Sequence, residues 1–313
     1  MERNRSLALH GGALLILFLL QFVLPPYHYT NFTRIMVLAV YGIGYNILIG
    51  YTGLLSLGHA MFLASGMYAA GLAVHYIGVD PVSAFVLGSV AALAFATAVG
   101  LVALRTTGVS FMIVTMMFSQ ACYLLILYFN EVTRGDEGIA ISEAARQIAG
   151  FSLTNPILRY NLALALFAGA LILCYALIRS RVGRVLIAIR ENEERVKMLG
   201  YHTFRYKLLA LALSGLLSGA AGASYALMFG YVGATFAAIE YSIFALLWVL
   251  LGGAGTVLGP IIGALLMFYL VEWTSDVTES YRIVVGAALV LLTLFFPKGI
   301  LGTLREKRLR WLP

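Results

Sequence analysis

The chain has 313 residues, of which 61% are hydrophobic and only 11% charged, with a formal net charge of +7. Soluble proteins hold roughly 45–50% and about 25% of these classes, so too few polar residues remain here to cover a water-facing globule of this length. The composition excludes a soluble enzyme, a disordered chain, a nucleic-acid-binding domain and a single-span receptor.

A transmembrane helix needs about 20 apolar residues to cross roughly 30 Å of hydrocarbon. The first such run, 7–24, follows Arg3 and Arg5. It is longer than the apolar region of a secretory signal, and Pro25-Pro26-Tyr27 follows it in place of a small-residue cleavage site. It reads as an uncleaved span. Further runs follow at 32–50, 61–78, 82–104 and 109–129, then a loop of mixed charge at 130–159. After the run at 160–178 comes a polar segment, 179–206, in which Val185, Leu186, Ile189, Val196 and Leu199 recur at roughly helical spacing. Arg190, Glu191, Glu193, Glu194, Arg195 and Lys197 fall between them. This is the pattern of an amphipathic helix or helix pair ended at Gly200, which the residues alone allow either to lie on lipid or to meet a partner. The remaining runs are 207–229, 239–253, 256–272 and 281–297, before a basic tail, 298–313. None alternates with the period of a barrel strand. The expectation is an all-α integral membrane protein with about ten transmembrane helices, forming one domain over 1–313.

With the N-terminus placed inside, ten spans put 16 of the 21 basic residues on the inner side and nine of the 14 acidic residues on the outer side. The net charges are +11 inside and −4 outside, as the positive-inside rule requires. Both termini are then cytoplasmic, the 130–159 loop is external, and the basic excess is topological. Cys122 and Cys174 fall in apolar runs and pack as small hydrophobes. The five histidines show no metal-ligand spacing, and no phosphate-binding loop is present. Neither enzymatic activity nor a metal or other cofactor of the chain's own is expected.

Thirty-two glycines are clustered rather than spread. Gly215, Gly219 and Gly222 read as helix packing. The stretches Gly42–Gly58 and Gly252–Gly263 contain helix breakers in series, Tyr51-Thr52-Gly53 and Gly252-Gly253-Ala254-Gly255. Broken helices at membrane depth are tolerated where protein or a cavity covers them, so both stretches are candidates for a translocation path.

Asn46–Phe62 (NILIGYTGLLSLGHAMF) resembles the signature of the M-type permeases of branched-chain amino acid ABC transporters. Four further stretches fit in the same order: 104–115, 183–193, 250–260 and 296–302. The resemblance implies an ABC-importer permease in a bacterial inner membrane. It further implies a second permease subunit, two cytoplasmic subunits that bind ATP, an external substrate-binding protein and a lipid environment, with no nucleic acid. Urea and short-chain amide systems use similar permeases, and a stand-alone channel for a small neutral solute is the reading from another class. The resemblance also implies that the 183–200 segment docks on the ATPase, with Arg190, Glu191, Glu194 and Gly200 as coupling residues. Arg195 stands where the general importer pattern has a small residue. A zwitterion with an apolar side chain needs polar dipoles and few fixed charges along its path. Asn46, Thr52, Ser56 and His59 in the first break, and Thr115, Ser119 and Gln120 in the fifth span, offer that lining.

Overall fold

The computed structural model describes residues 2–148, 150–277 and 298–307, together with residues 283, 286, 287, 290, 294 and 295. The helices are α1 (Glu2–Leu20), α2 (Pro26–Asn46), α3 (Ala60–Leu72), α4 (Pro81–Ala103), α5 (Val109–Tyr128) and the single-turn α6 (Asn130–Thr133). They continue with α7 (Pro156–Arg179), α8 (Arg181–Met198), α9 (Thr203–Phe229), α10 (Ile239–Gly252), α11 (Gly259–Val277) and α12 (Gly299–Lys307). Wider π-type turns extend α2 over Ile47–Thr52 and α3 over Ala73–Ile77.

Six of these helical stretches are long and apolar enough to span a membrane: Tyr27–Thr52, Ala60–Ile77, Pro81–Ala103, Val109–Tyr128, Pro156–Arg179 and Thr203–Phe229. Among the described residues, these six are the stretches that meet that criterion, against the ten expected from the apolar runs of the whole chain. Ala8–Leu20 and Ile239–Gly252 are apolar but shorter, and α11 carries Glu272 and Asp276 in its last turns. The run at 281–297 and residues 308–313 of the tail fall largely outside the described residues.

Local chemistry explains where the helices begin. Asp80 caps α4 by accepting from the Ser83 amide at 3.0 Å, Asn155 caps α7 through the Ile157 amide at 3.0 Å, and Ser180 caps α8 through the Gly183 amide at 3.1 Å. Proline follows the first two caps, where its missing N–H costs nothing.

The centre of the fold is α9, which packs on α2, α3 and α4. Lipid gives helices no hydrophobic reason to associate, so close approach and dispersion must supply it. A side chain at Gly219 would strike the Ala92 methyl group of α4, one at Gly222 the Leu63 carbonyl of α3, and one at Gly66 the backbone of Gly219. The packing expected of the Gly215–Gly222 cluster is therefore present. The 130–159 loop takes part in two short antiparallel pairings, one of them a hairpin within the loop. Strand β1 (Ile139–Ala140) pairs antiparallel with β4 (Tyr231–Val232), and β2 (Gln147–Ile148) pairs with β3 (Phe151–Ser152). Arg146 is buried beneath the loop and donates to the Met228 carbonyl at 3.4 Å.

Gly219→Val is expected to destabilise the detergent-solubilised protein by about 1–3 kcal/mol through overpacking against Ala92. Gly169→Ala, at a helical position with nothing within 4 Å of the added carbon, should be neutral or stabilising. Thermal unfolding midpoints would test the pair; equal midpoints would contradict this account of the α4–α9 contact.

Candidate translocation core and coupling face

Two interrupted helices meet at the centre of one end of the bundle. The first break begins where α2 widens after Asn46 and stops at Gly53, whose φ of 75° is left-handed and suits glycine. Residues 53–59 are irregular before α3 starts at Ala60. The second lies between α10 and α11, with Gly253 at φ 120° and Gly255 at φ 75°.

Each break frees backbone groups that no water can satisfy at membrane depth. Asn46, at the start of the first break, answers for the second. Its Nδ2 donates to the Thr256 carbonyl at 2.9 Å, and its Oδ1 accepts from the Gly255 N–H at 3.0 Å. The side chain is fully buried, and a Cβ on Gly255 would come 3.0 Å from the Gly50 carbonyl. One amide thus joins the two breaks.

The other residues expected along the path are placed as follows. Thr52 donates to the Ile47 carbonyl at 2.8 Å, bridging the widened turn. Ser56 accepts from the Gly58 amide at 3.3 Å, and its carbonyl accepts from the Tyr45 hydroxyl at 2.8 Å. His59 is fully buried, with Nε2 at 2.8 Å from the Ser218 hydroxyl and 3.2 Å from that of Ser214. Tyr41, Tyr45 and Phe62 surround its ring at centroid distances of 5.4, 4.8 and 5.3 Å. Thr115 donates to the Met112 carbonyl in its own helix at 2.9 Å, whereas Ser119 reaches the Ala237 carbonyl at 3.2 Å. Gln120 is half-buried on α5.

The first break and α5 are in contact, since a Cβ on Gly58 would collide with the Thr115 carbonyl. The expected residues are therefore brought near one another. Asn46, Thr52, Ser56, His59, Thr115 and Ser119 are nonetheless buried. They spend hydrogen-bonding groups holding the breaks in shape, a role that residue type alone does not distinguish from an open lining.

Beneath the breaks lies α8. It is a helix pair, divided at Asn192, whose φ of −162° and ψ of 98° are extended. The Asn192 side chain accepts from the Arg195 amide at 3.0 Å and so caps the second piece. Gly183, Leu186, Ile189 and Val196 are buried within the protein, so this apolar face is not available to lie on lipid. Leu199, expected to belong to the same face, is instead exposed beside Met198. The cause is Gly200, which turns the chain at φ 85° and donates to the Lys197 carbonyl at 2.9 Å.

Arg190 donates to the Gly50 carbonyl in the first break, and Arg305 of α12 donates to the Gly255 carbonyl in the second at 3.2 Å. Arg190, Lys298, Arg305 and Glu306 line a cavity of about 700 Å³ there. Glu191 is exposed, 3.5 Å from Arg190. Glu194 is also exposed and pairs with Lys197 at 2.8 Å.

An ion pair between buried Lys207 and half-buried Glu193, which spacing did not single out, fastens the second piece of α8. Lys207, at the start of α9, lies 2.5 Å from Glu193, which also accepts from the Thr203 hydroxyl at 2.9 Å. Burial raises the Glu193 carboxyl's pKa, but these hydrogen bonds outweigh it and hold the group below its ordinary value. The usable signal was Lys207 at the edge of an apolar run, where an unpaired lysine is costly.

Many apolar helices, two covered breaks and a polar face beneath them define a multi-pass membrane permease. The family model for the permease component of branched-chain amino acid transport systems matches residues 29–294, and the chain belongs to that family. The high-affinity branched-chain amino acid transport permease LivM of Escherichia coli is 30% identical over 297 residues, covering 88% of this chain and 70% of the relative. A probable branched-chain amino acid permease LivM of Methanocaldococcus jannaschii is 27% identical over 156 residues, 49% of this chain and 44% of its own. The ribose import permease RbsC of Haemophilus influenzae is 30% identical over 137 residues, 41% and 42% of the two chains. No solved structure matches significantly.

Two outcomes follow. Asn46→Leu leaves the Thr256 carbonyl and Gly255 N–H buried without a partner, at about 1–3 kcal/mol each, so both thermal stability and transport should fall. Glu193→Gln should cost about 1.5–3 kcal/mol at neutral pH by removing the charge-assisted bond to Lys207. Because folding depresses the Glu193 pKa, its contribution is present above the unfolded value of about 4.3 and disappears as pH falls through the folded value. Unfolding midpoints of wild type and Glu193→Gln should therefore converge on acidification; a constant gap would contradict the assignment.

Proposed function

We propose that the chain is one of two permease subunits of an importer for branched-chain or related apolar amino acids, in a bacterial inner membrane. Two separate cytoplasmic ATP-binding subunits drive it, and an external binding protein delivers the substrate. The observation that carries this reading is the identity to the Escherichia coli branched-chain amino acid permease across 88% of the chain. Ten spans, both termini cytoplasmic and the 130–159 loop external complete the topology, with 1–313 as a single permease domain.

The face formed by α8 and α12 supports docking of an ATPase better than it supports a stand-alone channel. Glu194, Met198 and Leu199 are exposed around Gly200, and nothing lies within 4 Å of a Cβ placed there. Arg190 and Arg305 reach the carbonyls of the two breaks from the same face. Movement imposed on it is thereby delivered to the breaks. Arg190, Glu191, Glu194 and Gly200 accordingly serve coupling. Asn46, Thr52, Ser56 and His59, with Thr115 and Ser119, frame the path, and Gln120 faces it.

Vesicles containing the assembled complex should take up leucine in an ATP-dependent manner; uptake of urea or ribose instead would replace the substrate. Ser142→Cys in the exposed loop should react with an impermeant external thiol reagent, and Glu194→Cys only after permeabilisation. The reverse pattern would invert the topology. Gly200→Val should insert normally yet lose most transport-linked ATP hydrolysis. Full coupling in that variant would remove Gly200 from the docking face.

A further inference from the structure

Arg34 and Glu272 fall near the ends of the apolar runs 32–50 and 256–272. The helices extend further. Arg34 lies eight residues inside α2, and Glu272 lies five residues before the end of α11. Both line a cavity of about 370 Å³, walled by Tyr225, Tyr241, Phe244 and Trp248 among others. That volume falls within the roughly 300–1,000 Å³ of small-molecule pockets.

The two charges stand apart. Among the described residues the ion pairs do not include Arg34 with Glu272. Glu272 Oε1 is held by the Tyr27 hydroxyl and by Asn31 Nδ2, the latter at 3.1 Å, while Oε2 is buried with no hydrogen-bond partner. Arg34 Nε is likewise buried and without a partner, and its guanidinium carbon lies 5.3 Å from the centroid of the Phe229 ring. Leaving Glu272 Oε2 or Arg34 Nε buried without a partner is costly unless a ligand completes it.

We infer that this cavity is a binding site for the amino acid in its zwitterionic form, with the carboxylate on Arg34, the ammonium on Glu272 and the apolar side chain against the aromatic wall. A guanidinium suits a carboxylate because it presents parallel N–H donors. An ammonium is favoured both by the free carboxylate oxygen and by aromatic faces. Among the lining residues Arg34 and Glu272 carry one charge of each sign, and Arg159 stands over the Phe229 ring at 5.1 Å, adding positive charge on the carboxylate's side. The cavity adjoins the end of the bundle where Arg159 of α7 donates to Thr30 of α2 at 3.4 Å, next to the 130–159 loop. In the proposed topology, with the 130–159 loop external, it is the station that receives substrate. The inference rests on the amino acid import reading and adds to it a place and an orientation.

The test uses the complete complex with its binding protein in phosphatidylcholine liposomes. Arg34→Gln and Glu272→Gln should each lower leucine uptake at least tenfold at unchanged assembly, with Arg34→Lys intermediate. In parallel, a Phe244→Cys reporter on a Cys122→Ala/Cys174→Ala background would be labelled with a thiol reagent. Leucine should slow labelling, whereas 4-methylpentanoate, which lacks the ammonium, and isopentylamine, which lacks the carboxylate, should not. Normal uptake in both glutamine variants together with unprotected labelling would overturn the site while leaving leucine import intact. Protection by added phosphatidylethanolamine but not by leucine would also overturn it, in favour of a lipid head group. A wild-type complex that imports no leucine would instead remove the import reading, and the labelling arm would still decide the cavity on its own.

Discussion

A membrane interior without water imposes one demand on every interrupted helix: each freed backbone group must find a protein partner. In this chain that demand falls on very few side chains. The Asn46 amide serves one carbonyl and one N–H of the second break from a position at the start of the first. Arg190 and Arg305 take the carbonyls of Gly50 and Gly255 from the polar side. The same groups both satisfy the breaks and connect them to α8 and α12. A permease built this way cannot loosen its breaks without also disturbing the face beneath them.

The second constraint is contact distance. The first break is held in place because α9 packs closely on α2 and α3, which flank it, and glycine and alanine make that approach possible. The buried polar cluster around His59 depends on the same closeness. Ser214 and Ser218 reach its Nε2 from α9, and Ser214 also donates to the Gly44 carbonyl of α2 at 2.5 Å. Small residues thus do two jobs here. They let backbones meet, and they bring hydroxyls within reach of helices that would otherwise stand too far away.

Much of this was legible in the residues. Apolar runs located α3 to α5, α7, α9 and α10 to within a few positions, because a hydrophobic thickness of about 30 Å leaves little freedom in length, while α2 begins six residues before its run. Breakers in series located both interruptions, and the spacing of Leu186, Ile189 and Val196 revealed the buried face of α8. The partners of polar side chains were not legible. Nothing adjacent in sequence says that Asn46 serves Gly255 and Thr256, or that Glu193 serves Lys207. These pairings join segments 209, 210 and 14 residues apart, so only the fold selects them. Arg34 and Glu272 escaped for a different reason. Each sits near the edge of an apolar run, where hydropathy cannot tell an interfacial charge from one drawn into the bundle.

The extended residue Asn192 divides α8 into two rigid pieces with a joint between them. The inner piece ends in Arg190 and is tethered to the first break, while the outer piece is anchored to α9 through Glu193 and Lys207. A continuous rod would transmit a push and a twist alike to both attachments. In the jointed form the two attachments sit on separate pieces, so the contact of Arg190 with the first break and the contact of Glu193 with α9 are not fixed to one another by a common helix axis.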